Sequence, residues 1–131
     1  MHRLSMIYLL LCIASTTPAS ASSPGQNDTD GKQAFSGLAD YYHHKLYGQR
    51  TASGQVLCKD KLTAAHRTLP FGTRVRVTNK RSGRSCVVVI NDRGPFTPGK
   101  VIDVSHEAAK QLDFVKAGTS MVACVVLGDD E

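Results

Sequence analysis

Two neighbouring stretches of this chain carry strand patterns, and they constrain its fold more than any other feature. Residues 72–79 alternate, with Val75 and Val77 on one face and polar side chains on the other, which is the period of a half-buried strand. After a polar turn containing glycine, residues 85–91 are apolar at nearly every position, as in a strand that is buried on both faces. Together the two stretches predict a β-hairpin.

Shorter patterns on either side of the hairpin add to this strand content. Residues 37–42, 101–104 and 121–127 predict further strands, and one short helix is expected after Ser105, which caps it, with Glu107 in the first turn. Five or six short strands and one helix within residues 35–127 predict a mainly-β domain, most simply a small closed barrel.

The N-terminal segment predicts export. Residues 1–21 combine a short positive start, an apolar run and the small-x-small sequence Ala19-Ser20-Ala21, so we interpret them as a signal peptide that is cleaved before Ser22. The mature protein is then expected to be soluble in the periplasm or outside the cell. A lipid anchor at Cys12 is the alternative, which the large Leu11 before it disfavours.

The residues that flank the domain, the net charge of the chain and the spacing of its Cys and His residues add further predictions. Residues 22–34 predict a disordered linker and residues 128–131 an acidic tail. The 131-residue chain has room for one domain, and its formal net charge of +5 suits an anionic partner such as a cell-wall polymer. Export argues against a nucleic-acid partner, and the spacing of Cys and His residues predicts no metal site and no cofactor.

Three cysteines follow the predicted signal peptide, namely Cys58, Cys86 and Cys124. Exported proteins live where disulfides persist, so one bridge and one free thiol are expected. Cys58 lies in a loop that must return towards the hairpin, and Cys86 opens one hairpin strand. This predicts a Cys58–Cys86 bridge, with Cys86–Cys124 as the alternative.

Three polar stretches, residues 51–55, 62–72 and 91–96, combine polar groups at strand ends with Gly and Pro turns. Binding sites collect at the mouths of barrels. Asp92 closes the buried strand, where poor solvation would suit a general acid; alternatively it only caps the loop amides of Gly94 or Phe96. His66 is either its partner or the donor or acceptor of a structural hydrogen bond.

For each of four other side chains, the sequence is compatible with two roles. Asp103 precedes the helix cap, and we expect it to satisfy backbone donors at the helix start rather than to catalyse. Arg93 either binds an anionic group or is solvated surface. Tyr41 and Tyr42 either stack on a sugar ring or belong to the barrel core.

Three motifs in order identify a family resemblance. The chain contains LTAAHRTLPFGTRVRVTN, then GRSCVVVINDRGPF, then GKVIDVSHEAAKQL, preceded by GLADYYHHKLYGQRTASGQ. From about Gly37 to Leu127 it resembles the rare lipoprotein A family of septal lytic transglycosylases. The resemblance implies a six-stranded double-psi β-barrel with one short helix. It also implies cleavage between N-acetylmuramic acid and N-acetylglucosamine without hydrolysis, leaving a 1,6-anhydro end on glycan strands that lack stem peptides.

The resemblance also assigns roles by motif. Asp92 in NDRGPF is the implied catalytic acid/base and His66 in LTAAH its partner. The implied substrate-binding residues are Gln55, Arg93, Tyr42 and Thr63, and the implied structural residues are Asp103, Gly94 and Pro95. Peptidoglycan glycan strands are the expected partner, together with the septal cell-wall machinery, and a monomer is expected.

The chain departs from the family pattern in two places. The position after TASG usually carries Glu, and here it is Gln55, which keeps the hydrogen bonding but cannot transfer a proton. Many members also carry a C-terminal repeat domain that binds glycan. This sequence ends at Glu131 and does not include such a repeat. The competing interpretations are therefore a non-catalytic cell-wall binding module like the expansins, and a secreted inhibitor or effector built on the same barrel.

Overall fold

The computed structural model of the protein describes residues 32–129. The predicted signal peptide, Cys12, most of the predicted linker and the last two residues of the predicted tail lie outside this range. Within it, no helix is both long and apolar enough to cross a bilayer.

Six strands close into a barrel. They are β1 (Ala34–Tyr41), β2 (Thr63–Ala65), β3 (Arg74–Asn79), β4 (Ser85–Asp92), β5 (Lys100–Val104) and β6 (Thr119–Val126), accompanied by the helix α1 (His106–Gln111) and a 3₁₀ turn at His44–Leu46. Around the barrel the order is β1-β5-β2-β4-β3-β6. The pairs β1–β5 and β2–β4 are parallel and the other four are antiparallel. The prediction of a mainly-β, six-stranded double-psi barrel with one short helix is confirmed.

The predicted hairpin is formed by β3 and β4, which pair antiparallel with Val75 opposite Val88 and Val77 opposite Cys86. These four side chains are buried in the barrel core, as the alternating pattern requires. Strand β1 begins at Ala34, one residue before the predicted start of the domain. Strand β2 was not predicted, because three residues with small side chains carry no recognisable period.

The helix α1 begins where the sequence predicts. The Ser105 side chain accepts a hydrogen bond from the Ala108 backbone N–H, and Glu107 lies in the first turn. Ala108 and Ala109 are fully buried, and Leu112 and Phe114 beyond the helix complete the core at this end of the barrel. The helix therefore contributes to closing the barrel interior from water.

The predicted disulfide is absent, because Cys58, Cys86 and Cys124 are all free. Cys58 lines a cavity together with Asn91, and Cys86 lies five residues before Asn91 on the same strand. At about 3.3 Å per strand residue Asn91 lies roughly 16 Å from Cys86 along β4, so Cys58 lines a cavity near the opposite end of the strand from Cys86, whereas a bridge requires Cα atoms within roughly 7 Å.

The alternative Cys86–Cys124 bridge fails as well. Cys86 and Cys124 pair with opposite sides of Val77, so a whole strand lies between them. Two strand spacings amount to roughly 10 Å, again too far for a disulfide. Both thiols are buried instead, and burial raises the pKa of Cys86 to about 11 and that of Cys124 to about 12.

Candidate functional site

A row of three carboxylates crosses the outer face of four adjacent strands. Asp40 of β1 pairs with Asp103 of β5, Asp103 pairs with Ala65 of β2, and Ala65 pairs with Asp92 of β4. Laterally paired residues project from the same face of a sheet. The preceding Ala64 is fully buried in the core, so these residues face outward. We call Asp40, Asp103 and Asp92 the carboxylate row.

The long connection between β1 and β2 covers part of this face. Tyr42 and Leu57 are buried against Ala65 in a small cluster separate from the main core, with Tyr47 packed beside them. A shallow pocket at this place is lined by Tyr42, Leu57 and Asp92, among others. The connection thus removes part of the carboxylate row from water, which the sequence pattern does not indicate.

Both oxygens of the Asp92 carboxylate accept hydrogen bonds. Oδ1 accepts from the backbone N–H groups of Ala52 (2.9 Å) and Arg93 (2.8 Å), and Oδ2 accepts from the Tyr42 hydroxyl (2.9 Å). Asp92 therefore ties the 51–55 segment and Tyr42 to the end of β4. This is the loop-anchoring role that the sequence left open, although the amides bound are not those of Gly94 and Phe96.

Tyr42 is buried, and this burial raises the pKa of its hydroxyl, with the negative charge of Asp92 adding to the effect. The hydroxyl therefore stays protonated and donates to Asp92. Tyr42 thus acts here as a support for Asp92, and most of its ring is not available for stacking on a sugar.

Asp103 has a different environment from Asp92. Burial, and then the charge of Asp40, raise the pKa of the Asp103 carboxyl to about 6, while Lys100 opposes the rise and Asp92 adds to it. The helix-start donors that Asp103 was predicted to satisfy have other acceptors: Ser105 for Ala108, the Tyr47 hydroxyl for His106 and the Lys59 carbonyl for Glu107. None of these three amides donates to Asp103, whose side chain lies on the outer face of β5 beside Asp40.

His66 meets Asp92 only through the backbone, where its N–H donates to the Asp92 carbonyl oxygen at 3.1 Å. Its Nδ1 accepts hydrogen bonds from the backbone N–H groups of Thr68 and Leu69, both at 3.1 Å, and its ring packs against Phe35 at 4.9 Å between centroids. Burial and the nearby arginines lower the pKa of His66, so a neutral ring organises its own loop.

Arg93 also binds within the loops. Its Nη1 donates to the carbonyl oxygens of His66 (3.3 Å) and Leu69 (2.7 Å), and its guanidinium lies 4.0 Å over the Phe71 ring. Next to it, Gly94 and Pro95 are buried, Gly94 has φ of 115°, and the Pro95 carbonyl accepts from Arg67 Nε at 2.6 Å. These residues hold the 66–72 loop against the end of β4.

Gln55 and Thr63 line a neighbouring cavity of about 330 Å³ together with Asn91, Arg50 and Lys61, among others. The Asn91 side-chain amide donates to Gln55 Oε1 at 3.2 Å, while Thr63 Oγ1 and Asn91 Oδ1 are buried without a partner in the described part of the chain. The 51–55, 62–72 and 91–96 stretches thus meet at the end of β4, but Gln55 and His66 face different pockets.

Sequence reasoning missed Asp40 and Lys100. Their side chains form an ion pair in which Asp40 Oδ2 accepts from Lys100 Nζ. The only sign of Asp40 in the sequence is a polar residue just before Tyr41, at a strand position whose side chain points away from the core. Its position beside Asp103 depends on the pairing of β1 with β5, which are far apart in the sequence.

Solved structures share this architecture. A Streptomyces papain inhibitor superposes with a TM-score of 0.59 at 23% identity, covering 73% of this chain and 96% of that protein. The ligand-free expansin of Clavibacter michiganensis gives a TM-score of 0.59 at 20% identity, covering 74% and 52% respectively. At these identities the likeness shows the fold alone.

Curated relatives share the sequence itself. The chain is 53% identical over 92 residues to a probable endolytic peptidoglycan transglycosylase RlpA of Synechocystis, covering 70% of this chain and 29% of the relative. It is 44% identical over 120 residues to the endolytic peptidoglycan transglycosylase RlpA of Haemophilus influenzae, covering 86% and 42%. The chain thus spans less than half the length of these relatives.

A family model described as "Lytic transglycolase" matches residues 34–124, which include all the strands of the carboxylate row. This match covers more than half of the chain, and it agrees with the rare lipoprotein A motifs identified in the sequence. The protein belongs to the lytic transglycolase family, and its matching segment is the double-psi barrel.

Proposed function

We propose that this domain is a peptidoglycan lytic transglycosylase. The names of the curated relatives support the reaction class. The observation that carries the proposal is the outward carboxylate row, because one of its members, Asp103, combines partial burial with a pKa raised to about 6. A carboxyl that titrates near neutral pH suits a group that must both give and take a proton.

We assign the proton transfer to Asp103 rather than to Asp92, the residue favoured by the sequence motif. The Asp92 carboxylate already accepts three hydrogen bonds that anchor the surrounding loops. No hydrogen bond of the Asp103 carboxyl is found within residues 32–129, and its only close cation, Lys100, is paired with Asp40. Asp103 therefore has no loop hydrogen bond to give up when it meets a substrate oxygen, while Asp92 holds the surrounding loops in place.

The reaction follows from one such group. The Asp103 carboxyl protonates the glycosidic oxygen as the bond from the muramic acid C1 to that oxygen breaks, and the N-acetylglucosamine side leaves as an alcohol. The Asp103 carboxylate then takes the proton of the C6 hydroxyl, whose oxygen closes the 1,6-anhydro ring on C1. The proton returns to Asp103 and no water is consumed, in contrast to the two-carboxylate glycosidases.

The expected setting is the cell wall of an exporting bacterium. Under this proposal the signal peptide delivers a monomeric protein to the periplasm or the exterior, where it acts on glycan strands without stem peptides beside the septal machinery. The positive net charge of the chain favours contact with anionic wall polymers.

The test is mass spectrometry of purified glycan strands after incubation with matched variants. We expect Asp103→Asn to lower the release of anhydro-muramic products by on the order of 10²–10⁴-fold, the usual contribution of a general acid–base group. Asp113→Asn is the matched control, because Asp113 is exposed and outside the carboxylate row, and its activity should equal that of the wild type.

Asp92→Asn separates the two assignments. The amide of Asn keeps an oxygen that can accept from the Ala52 and Arg93 N–H groups but replaces the oxygen that accepts from the Tyr42 hydroxyl. We therefore expect a modest loss of thermal stability, and activity reduced only in proportion to the folded fraction. An intact fold with no cleavage in Asp92→Asn, together with full cleavage in Asp103→Asn, would return the acid/base role to Asp92. Products with reducing ends would indicate a hydrolase, and glycan binding without any products would select the expansin-like binding module.

A further inference from the structure

Asp40 has two carboxylate oxygens in contrasting surroundings. Oδ2 accepts from Lys100 Nζ, whereas Oδ1 is buried and has no hydrogen-bond partner within residues 32–129. A buried acceptor left unsatisfied is unfavourable, and a native structure normally supplies a donor. The register neighbour of Asp40 on β5 is Asp103.

The groups that face Asp103 limit what this donor can be. Asp40 and Tyr42 face it from β1 and its end, Lys100 from its own strand and Asp92 from β4, while β2 contributes the uncharged Ala65. The Tyr42 hydroxyl donates to Asp92, and Lys100 already pairs with Asp40 Oδ2. A protonated Asp103 is the remaining neighbour that carries a proton to donate.

We propose that Asp40 and Asp103 form a carboxyl–carboxylate pair, in which Asp103 holds the shared proton and Asp40, bound to Lys100, is a positioning residue for it. Two carboxylates side by side do not both ionise readily, and an adjacent cation decides which of them carries the charge. The pairing itself is independent of the reaction, but its consequence for catalysis rests on the proposed function.

The simpler alternative is a plain ion pair between Asp40 and Lys100, with burial as the main cause of the raised pKa of Asp103 and only a weak effect of the two neighbouring charges. The two cases differ in the size of the effect that the partners have on Asp103. In a pair, removing the charge of Asp40 makes Asp103 a clearly stronger acid, and removing the charge of Lys100 makes it a clearly weaker one. In the alternative, neither substitution moves the titration of Asp103 by more than a small fraction of a pH unit.

The decisive experiment is a ¹³C NMR titration of the Asp103 carboxyl carbon, which requires no substrate. We expect Asp40→Asn to lower the titration midpoint by about one pH unit, and Lys100→Met to raise it. Glu107→Gln is the control, because it removes a carboxylate from the Lys110 ion pair on α1 and should leave the midpoint unchanged. Unchanged midpoints in both Asp40→Asn and Lys100→Met, in spectra that show a folded protein, would overturn the pair.

The pH profile of glycan cleavage is the second readout. If Asp103 is the acid/base, the optimum should move to lower pH in Asp40→Asn and to higher pH in Lys100→Met, in step with the NMR midpoints. Wild-type protein that shows the paired titration but cleaves no glycan would reject the proposed function and keep the pair. Cleavage with a profile that neither variant shifts would reject the pair and keep the function.

Discussion

Asp92 and Asp103 have the same side chain and lie on one face of the barrel, separated by Ala65 of β2. Asp92 accepts three hydrogen bonds from its own loops. Asp103 is partly buried beside the charge of Asp40, which makes its ionised form unfavourable. Their different chemistry therefore arises largely from groups that are distant in the sequence, namely Tyr42 and Ala52 for Asp92 and Asp40 for Asp103.

The raised pKa of Asp103 has a consequence for stability. Its pKa rises from 3.8 to about 6, so the folded state binds this proton more tightly than the unfolded state does. The free energy of unfolding should therefore fall as the pH rises from about 4 to about 6, because the native carboxyl must ionise in an unfavourable place. Sites that are used for function often carry such a stability penalty.

We predict that Asp103→Asn stabilises the protein at pH 7 by on the order of 1 kcal/mol, a value that includes a discount for solvent screening of this partly buried group. At pH 3 the variant and the wild type should be equally stable, because the carboxyl is then neutral in both the folded and the unfolded state. Urea unfolding at both pH values measures this, and a variant that is less stable at pH 7 would contradict it.

The elements that carry the site are short and depend on one another. Strand β2 has three residues, yet it joins β4 to β5 and so brings Asp92 and Asp103 to the two sides of Ala65. The helix α1 has six residues, which is too short to be stable alone. Both elements exist because the closed barrel provides their hydrogen bonds and buried contacts.

The cap of α1 provides a test of this dependence. Ser105 is fully buried, and its Oγ accepts from the Ala108 N–H at 3.3 Å. We expect Ser105→Ala to lower the free energy of unfolding by about 1 kcal/mol, as is usual for loss of a helix cap. Ser85→Ala, at an exposed position in β4, is the control, and an equal effect of the two substitutions in chemical denaturation would argue against the cap.

The barrel as a whole is held together without covalent cross-links among residues 32–129. All three cysteines there are free, and the interior is filled by aliphatic side chains from every strand, with Phe114 beyond α1. Burial of this apolar surface is the main stabilising contribution. The disulfide expected for an exported protein is therefore not required by the geometry of the fold.

Thiol labelling tests this directly. In the native protein we expect Cys58, which is partly exposed, to react with an alkylating reagent, while Cys86 and Cys124 stay unlabelled because burial raises the pKa of both thiols, to about 11 and about 12. In denaturant without a reductant all three should react. Fewer labelled thiols by mass spectrometry under those conditions would reveal a disulfide.

The sequence by itself determined the local elements and the family. Each of the local signals is set by residues that are neighbours in the sequence. Alternation predicts the strand in residues 72–79, an apolar run predicts the strand in residues 85–91, and Ser105 marks the start of the helix. The motifs at residues 62–72 and 91–96 identified the family, and they named residues that do meet at the end of β4.

Tertiary structure decided what those residues do there. His66 and Arg93 bind their own loops, a whole strand separates Cys86 from Cys124, and Asp40 lies beside Asp103 only because β1 pairs with β5. Hydrogen-bond partners, burial and the spacing of charges all depend on strand register, and register between distant segments is fixed only when the barrel closes. For that physical reason the sequence could name Asp92 and Asp103 as candidates, while the closed barrel alone distinguishes a carboxylate anchored by loop hydrogen bonds from one whose pKa is raised by burial and a neighbouring charge.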